Sequence, residues 1–301
     1  MSIKEALGKK KEAVEAILES FLAEEKGFDR IGREAMNYSL MAPGKRIRPI
    51  LVEEAFFLCC REEEKEELLP ILHSFMAAIE MIHSFSLVHD DLPCMDNDIL
   101  RRGKPTTWYV YGEAMGTLAG DGLVLEALTL AGKAVAASKH PERAARALAI
   151  LGEKSGVFGM LGGQSVDVEK TGESLDAATL DFIYRLKTGA LLEAAFMMGA
   201  ALGGAPEEEL RLAEQIGAAV GLAFQIRDDI LDETASEAEL GKPLHSDEKN
   251  QKTTYVSLYG LESAKEAVRQ QSERAAQRLK DFPGDTKCLA ALIAYLTERN
   301  F

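Results

Sequence analysis

The stretch Glu80-Met-Ile-His-Ser-Phe-Ser-Leu-Val-His-Asp-Asp-Leu-Pro-Cys-Met-Asp-Asn-Asp98 joins a helical run to a crowd of carboxylates. In and before it, apolar residues recur at the i, i+3, i+4, i+7 spacing of one helix face, at Leu72, Phe75, Met76, Ile79 and Ile82. The helix should end near Asp91, because Pro93 cannot continue it without losing a backbone hydrogen bond. We expect the chain to bulge there and to bring Asp96 back beside Asp90.

A second acidic cluster, Gln225-Ile-Arg-Asp-Asp-Ile-Leu-Asp232, lies about half the chain further on. At about 100° per residue, one helix stripe contains Gly221, Gln225, Asp228 and Asp232. A solvated acidic helix end is an alternative interpretation of such a pattern. The apolar run 220–226 immediately before the aspartates favours a buried helix instead. Carboxylates this close together need counter-charge to stay ionised.

Both clusters offer oxygen ligands without a His or Cys cage. Such sites suit Mg²⁺, which takes one or two carboxylates per ion and completes its shell with water and phosphate oxygens. An EF-hand is excluded, because the first cluster lacks Gly at the sixth loop position and Glu at the twelfth. The clusters therefore predict opposing walls of a site for magnesium and a phosphorylated ligand.

Basic residues accompany the acidic clusters. Gly44-Lys-Arg-Ile-Arg-Pro49 is a compact basic loop, in which Lys45 and Arg48 can grip one diphosphate, Arg by its planar fork and Lys as a point charge. Each such residue alone is more often a surface charge. Together with two acidic clusters they predict one cavity where acids hold metal and bases hold phosphate. The other members of this basic set are Arg101, Arg102, Lys187, Lys242 and Lys252.

The composition narrows the class of protein. A formal net charge of −14 over 301 residues argues against binding to nucleic acid or to an anionic membrane. We find no run approaching the roughly 18 apolar residues that span a bilayer, and the N-terminus does not resemble a signal peptide. Metal-site spacing is absent from the four cysteines Cys59, Cys60, Cys94 and Cys288. These features predict a reduced, soluble, cytoplasmic protein without stable membrane association.

Helical periodicity dominates the chain. Strand-like alternation is nearly absent, and the Gly- and Pro-containing breaks are too short to be interdomain linkers. We therefore predict one all-α domain over residues 1–301, with ten or more helices. Besides the helix before Asp90, the predicted helices cover 4–25, 29–41, 113–138, 142–160, 176–202, 207–232 and 261–280.

The motifs resemble those of the short-chain trans-prenyl diphosphate synthases. Residues 80–98, with Arg101-Arg-Gly-Lys-Pro-Thr106, look like the first aspartate-rich motif of that family, and residues 224–232 look like the second. Further matches, in order, are Gly44–Pro49, Gly162-Gly-Gln-Ser-Val-Asp167, Lys187-Thr188 and Gly241-Lys-Pro243. The resemblance is greatest to bacterial farnesyl diphosphate synthases, followed by plant-type geranylgeranyl diphosphate synthases. It implies an isoprenoid synthase fold, a helical barrel around a deep central cavity, and a homodimer.

The resemblance also implies roles for individual residues. Three Mg²⁺ ions would be held by Asp90, Asp96 and Asp228, supported by Asp91 and Asp232. The allylic diphosphate would be bound through these ions and by Arg101, Lys187, Thr188, Gln225, Lys242 and Lys252. Isopentenyl diphosphate would be bound by Lys45, Arg48, His83 and Arg102. Gln164 and Asp167 would face the same cavity.

The implied reaction is head-to-tail condensation of isopentenyl diphosphate with dimethylallyl and geranyl diphosphate, with Asp90, Asp96, Asp228, Arg101 and Lys187 as its catalytic residues. Phe85, five residues before Asp90, looks like the aromatic stop of enzymes that produce farnesyl diphosphate. Helix geometry gives this limited support, since it places Phe85 about 140° round from Asp90 and the small Ser86 nearer the same face.

We predict a C15 product, with two alternatives. One is a C20 geranylgeranyl diphosphate synthase, and the other is a non-catalytic prenyl synthase subunit, although such subunits usually lose acids that are present here. A terpene cyclase would not need Lys45, Arg48 and Arg102 for a second diphosphate. Trp108 and Val256 depart from the residues common in the family, and we expect altered packing there rather than lost activity.

Overall fold

The computed structural model describes residues 3–234 and 253–297, which form fourteen α-helices, one π-helical turn and one small hairpin. The helices are α1 (Ile3–Glu19), α2 (Arg30–Leu40), α3 (Ile47–Cys59), α4 (Glu62–Asp90), α5 (Thr107–Tyr111), α6 (Glu113–Ala137), α7 (Pro141–Ser155), α8 (Met160–Glu169), α9 (Ala177–Ile183), α10 (Ala190–Leu202), α11 (Glu207–Thr234), α12 (Tyr255–Tyr259), α13 (Leu261–Leu279) and α14 (Lys287–Thr297). The π-helical turn, Tyr184–Gly189, joins α9 to α10. The predicted all-α class is confirmed.

The only strands in the part of the chain that the structure describes form a hairpin after the first acidic cluster. Leu100–Arg101 (β1) pairs antiparallel with Lys104–Pro105 (β2). The two residues between them, Arg102 and Gly103, have positive φ values of 52° and 75°. Two left-handed residues in a two-residue loop are typical of the primed turns that match strand twist. The hairpin therefore holds Arg101 and Arg102 at a fixed place beside the cluster.

Most helix boundaries lie within a few residues of those predicted, but the predicted helix 4–25 ends at Glu19, and three further differences occur. Helix α3 begins at Ile47, inside the predicted basic loop, because Pro49 is tolerated in a first helical turn that needs no N–H donor there. The predicted helix 142–160 ends at Ser155, and Met160 begins α8. The predicted helix 176–202 is interrupted by the π-helical turn.

Helices α4 and α10 form the centre of the core. In α4 the predicted apolar face is fully buried, with Phe75, Met76 and Ile79 at 0% exposure. Helix α10 is buried almost all round, as the apolar sequence 194–202 predicts. Glu62, Glu63 and Glu64 occupy the first turn of α4, where negative charge favours the helix dipole.

Two helices, α4 and α6, are long and apolar enough to cross a bilayer by length and composition alone, so the expectation that no such segment exists was wrong. An apolar window can still include a few polar residues, which a search for unbroken runs overlooks. In α4 this window is 72% buried inside the fold, as in the core helix of a soluble protein. In α6 it is 33% buried, and Leu118, Leu125 and Leu128 are exposed.

Candidate active site

The first acidic cluster is a tight turn at the end of α4. The helix ends at Asp90, before Pro93, and the backbone N–H of Asp96 then donates to the Asp90 carbonyl at 2.9 Å. The N–H of Asp98 donates to the Asp91 carbonyl at 3.2 Å. Asn97 adopts a left-handed φ of 54°, which Asn tolerates better than most residues. The turn therefore brings the backbone of Asp96 beside Asp90, as predicted.

The hairpin is tied to this cluster by side chains. Arg101 Nε donates to Asp91 Oδ1 at 2.7 Å, and its Nη2 lies 2.5 Å from the same oxygen. Burial raises the pKa of Asp91 to about 6, although the hydrogen bond from Arg101 acts in the opposite direction. Trp108, one of the departures from the family pattern, donates from Nε1 to the Asp98 carbonyl at 2.8 Å. Trp108 thus makes a contact that supports the cluster.

Helix α8 supplies two further polar side chains. Gln164 Nε2 donates to Asp90 Oδ1 at 2.7 Å, and Asp167 accepts from Lys187 Nζ at 2.6 Å. Burial lowers the pKa of Lys187, but the Asp167 and Asp90 carboxylates outweigh this effect and the net shift is upward. Lys187 is therefore a charged group close to the first cluster, where an anionic ligand can replace one of its carboxylate neighbours.

The π-helical turn that contains Lys187 and Thr188 is held between two glycines. A Cβ on Gly163 of α8 would lie 2.3 Å from the Lys187 nitrogen, and one on Gly221 of α11 would lie 2.7 Å from the Gly189 Cα. Only glycine permits these close approaches. Single π-turns are frequent at functional sites, and here the turn brings Lys187 to the first cluster and Thr188 to the second.

The second cluster lies on α11 and is connected to that turn. Thr188 Oγ1 donates to Gln225 Oε1 at 2.8 Å. Asp229, at 5% exposure, accepts hydrogen bonds from the Tyr184 hydroxyl at 2.6 Å and from the Tyr255 N–H at 2.8 Å. Asp229 was not among the predicted site residues, because it lies off the stripe formed by Asp228 and Asp232. It fixes α11 to the π-turn and to the start of α12.

A cationic cavity of about 440 Å³ lies between the basic loop and α4. Its lining includes all four residues predicted for isopentenyl diphosphate, which are Lys45, Arg48, His83 and Arg102, together with Glu80 and Asp228. Burial lowers the pKa of Arg48 to about 10. Burial, followed by the charges of Arg48 and Arg102, holds the pKa of His83 well below its usual value. Arg48 Nε is buried without a hydrogen-bond acceptor among the described residues.

An apolar cavity of about 450 Å³ adjoins the cationic one and shares Arg48 and His83 with it. Phe85 and Ser86, both predicted to limit chain length, line it. The Phe85 ring packs edge-on against His89, with 5.6 Å between ring centroids. The lining also includes residues that the sequence did not suggest, which are Thr117, Met160 and Leu161. The polar end of this lining consists of Asp90, Gln164, Lys187 and Thr188.

The donor atoms of the acidic clusters fit magnesium. Asp90 lines the apolar cavity and Asp228 the cationic one, whereas Asp96 is exposed in the turn. Over residues 3–234 and 253–297, no group of three or more His, Cys, Asp or Glu side chains could hold a metal by itself. Mg²⁺ takes few protein carboxylates and completes its shell with water and phosphate. Lys242 and Lys252, with the Gly241-Lys-Pro243 motif, lie outside the described residues.

Comparison with known proteins gives consistent matches. The chain is 40% identical over 300 residues to the farnesyl diphosphate synthase of Geobacillus stearothermophilus, covering 100% of this chain and 99% of the relative. It is 44% identical over 262 residues to a chloroplastic geranylgeranyl pyrophosphate synthase of Capsicum annuum, covering 87% of this chain and 69% of the relative.

Solved structures match over nearly the whole chain as well. A geranyltransferase from Helicobacter pylori, complexed with magnesium and isoprenyl diphosphate, aligns with a TM-score of 0.85 at 28% identity and covers 99% of this chain and 97% of that one. A synthase described as FPP/GFPP from Zymomonas mobilis aligns at 0.84 with 30% identity, covering 98% of each chain. The family profile described as Polyprenyl synthetase matches residues 29–293. Because sequence, fold and the order of the motifs agree, this chain belongs to the polyprenyl synthetase family.

Proposed function

We propose that this chain is a prenyltransferase that condenses isopentenyl diphosphate with dimethylallyl and then geranyl diphosphate to give farnesyl diphosphate. Residues 1–301 form its single catalytic domain. The observation that carries the proposal is the pair of adjoining cavities, one cationic and one apolar, that share Arg48 and His83. A substrate with a diphosphate and a hydrocarbon chain needs both environments side by side, and so does a reaction that joins two such substrates.

The reaction breaks the C1–O bond of the allylic diphosphate and leaves a carbocation and diphosphate. The C4 alkene carbon of isopentenyl diphosphate attacks that cation, and a proton then leaves C2, with the released diphosphate as its acceptor. Arg101 and Lys187 stabilise the departing negative charge, and Thr188 and Gln225 bind the same group, aided by Lys242 and Lys252. Lys45, Arg48, His83 and Arg102 hold the isopentenyl diphosphate. The apolar lining excludes the water that would quench the cation.

Magnesium fits this site, and we propose three ions in the substrate complex. Asp90 and Asp96 from one wall and Asp228 from the other would hold them, supported by Asp91 and Asp232. The ions would supply Lewis-acid stabilisation of the diphosphate leaving group. Two observations support this role: the oxygen-only donors of these residues, and the Gln164 and Lys187 contacts that position Asp90 and its surroundings.

The product that we propose is C15, because the Phe85 ring lines the apolar cavity and packs against His89. The C20 alternative draws support from the similarity to the Capsicum annuum enzyme. The full-length match to the Geobacillus stearothermophilus enzyme favours C15.

We also propose a soluble, cytoplasmic homodimer that binds no nucleic acid and has no stable membrane association. The exposed apolar side chains of α6, which include Leu118 and Leu125 at 59% and 65% exposure, form a face suited to a second copy of the chain. Burial of such a face in a dimer removes apolar surface from water. The net charge of −14 opposes binding to nucleic acid and to anionic lipid.

Product analysis tests the proposal. Purified protein is incubated with Mg²⁺, labelled isopentenyl diphosphate and either dimethylallyl or geranyl diphosphate, and the dephosphorylated products are sized by chromatography. A single C15 product that disappears with chelator is the expected result. A C20 product would keep the chemistry and reassign the chain length. No condensation would favour the non-catalytic subunit.

A further inference from the structure

A buried ion pair lines the cationic cavity. Arg46 and Glu80 are 4% and 3% exposed, and Arg46 Nη1 donates to Glu80 Oε1 at 3.0 Å. Arg46 Nη2 also donates to the Ala42 carbonyl at 2.9 Å. The backbone of Arg46 is left-handed, with φ at 53°, a conformation that is uncommon for a large side chain. Neither Arg46 nor Glu80 belongs to the set of residues proposed to contact substrate.

The Glu80 carboxylate influences the cations around it. Burial lowers the pKa of Arg48 and that of Arg102, and at each of them the attraction of Glu80 is the leading effect in the opposite direction. Glu80 Oε2 is buried and has no hydrogen-bond donor among the described residues. One carboxylate thus attracts three guanidinium groups, those of Arg46, Arg48 and Arg102.

The basic loop is built so that these groups pack closely. A Cβ on Gly44 would lie 2.7 Å from Arg102 Nη1 and 3.4 Å from Arg46 Nη1, so both guanidinium groups lie over this glycine. Arg102 Nη1 also donates to the Pro43 carbonyl at 2.7 Å. Cations this close repel one another, and the shared Glu80 carboxylate offsets that repulsion. Glu15, whose Oε1 lies 3.5 Å from Arg46 Nε, is a second carboxylate at Arg46 only.

We propose that Glu80, acting largely through Arg46, is the positioning residue of the subsite for isopentenyl diphosphate. It holds Arg48 and Arg102 in an array that fits one diphosphate before the substrate arrives. A preorganised array binds more tightly because less free energy is lost in ordering it. This inference rests on the proposed function, since it names the residue that organises one of its two substrate sites.

Simple electrostatics and positioning predict opposite effects of neutralising Glu80. If Glu80 only contributed its charge, its removal would make the cavity more positive and would strengthen the binding of an anion. If Glu80 positions the cations, its removal lets them separate and weakens binding. The direction of the change in KM for isopentenyl diphosphate therefore distinguishes the two.

The first experiment compares Glu80→Gln with the wild-type protein in steady-state assays. We expect KM for isopentenyl diphosphate to rise about tenfold or more, equivalent to about 1.4 kcal/mol, while KM for geranyl diphosphate changes less than about twofold. Glu80→Asp, which keeps the charge, should give a smaller rise. The matched control is Glu193→Gln, because Glu193 is 5% exposed, pairs with Lys154 and lines neither cavity. It should leave both KM values unchanged.

A second variant covers the possibility that Glu80→Gln fails to fold. Replacement of a buried ion pair by apolar residues of similar volume is often neutral for stability, so the double variant Arg46→Met/Glu80→Leu should unfold near the wild-type temperature. We expect the double variant to show the same raised KM for isopentenyl diphosphate as Glu80→Gln. Folded variants with an unchanged or lowered KM would overturn the inference.

Calorimetric titration with inorganic diphosphate makes the same comparison without turnover. The expected result is weaker binding to the Glu80 variants than to the wild type and to Glu193→Gln. Equal or tighter binding by the Glu80 variants would contradict the role of Glu80. An inactive wild-type protein would overturn the proposed function, and the titration would still test the positioning of the cations.

Discussion

The two cavities that meet at Arg48 and His83 have nearly equal volumes, about 440 and 450 Å³, but different linings. The cationic cavity is lined by the basic loop and the start of α3, the hairpin turn, one face of α4, and side chains of α10 and α11. The apolar cavity is lined by the next face of α4 and the turn after it, with α6, α8 and the π-helical turn. Nearby positions on one helix therefore line different cavities, since His83 lines both and Phe85 lines only the apolar one.

This difference shows how one fold separates the residues that bind and stabilise charge from the residues that limit the length of the product. The cationic cavity depends on a few charged side chains and on their mutual positions, so changes there should alter rate and affinity. The apolar cavity depends on volume, so changes there should alter product size with little effect on rate. Variants in each cavity should therefore separate the two effects.

The largest effect is expected from Asp90, which supplies charge at the polar end of the apolar cavity. Asp90→Ala should lower kcat by about 10³-fold or more, because loss of metal-assisted charge stabilisation costs several kcal/mol. Excess chelator should abolish turnover by the wild type. Asp121→Ala, which removes a carboxylate that is 56% exposed and lines neither cavity, should retain activity. An Asp90→Ala variant within tenfold of wild type would contradict the role of Asp90.

A smaller effect is expected from Arg48→Lys, measured as KM for each substrate. Lysine keeps the charge but lacks the planar fork, so KM for isopentenyl diphosphate should rise by about 10- to 100-fold. KM for the allylic substrate should rise less. Arg143→Lys is the control, because Arg143 pairs with Glu64 at 2.8 Å and lines neither cavity. A larger rise in KM for the allylic substrate than for isopentenyl diphosphate would show that Arg48 belongs to the allylic subsite instead.

Much of this division could be predicted from the sequence, because the residues of the cationic cavity belong to short motifs. Lys45 and Arg48 are close neighbours in one loop, and His83 lies two turns of helix before Asp90. The Pro93 break also predicted the end of α4. Local patterns of this kind depend on backbone geometry within a few residues, which the sequence specifies directly.

The remaining features depend on contacts between distant segments. Nothing near Glu80 in the sequence indicates that it pairs with Arg46, and nothing near Asp229 indicates Tyr184 and Tyr255 as its donors. Thr117 and Met160 reach the apolar cavity only because α6 and α8 pack beside α4. The π-turn also escaped prediction, since its sequence is compatible with a regular helix.

For the apolar cavity we expect a change of product rather than of rate. Phe85→Ala removes the ring that lines the cavity and should shift the main product from C15 to C20 or longer, with kcat changed by less than about fivefold, or about 1 kcal/mol. Ser86→Phe should act in reverse and give shorter products. Phe57→Ala is the control, because Phe57 is 39% exposed and lines neither cavity. Unchanged products from Phe85→Ala would show that another residue limits the chain.

The smallest expected effect is the uptake of a fraction of one proton by His83 when a diphosphate binds. Burial and the charges of Arg48 and Arg102 hold its pKa well below the usual value of about 6.5 in the folded protein. Below about pH 6.5 the unfolded chain therefore binds a proton at His83 that the folded protein does not. The contribution of His83 to the free energy of unfolding is present above that pH and is lost as the pH falls.

A bound diphosphate reverses this effect, because its negative charge raises the pKa of His83 and draws a proton into the cavity. Calorimetry at pH 6 with isopentenyl diphosphate, in two buffers that differ in ionisation enthalpy, should detect proton uptake by the wild type and less by His83→Gln. His73→Gln is the matched control, since burial also lowers the pKa of His73, on the same helix, but His73 lines neither cavity. Both variants should weaken the pH dependence of the unfolding temperature, whereas only His83→Gln should reduce proton uptake. Equal uptake by His83→Gln and wild type would mean that the diphosphate does not bind next to His83.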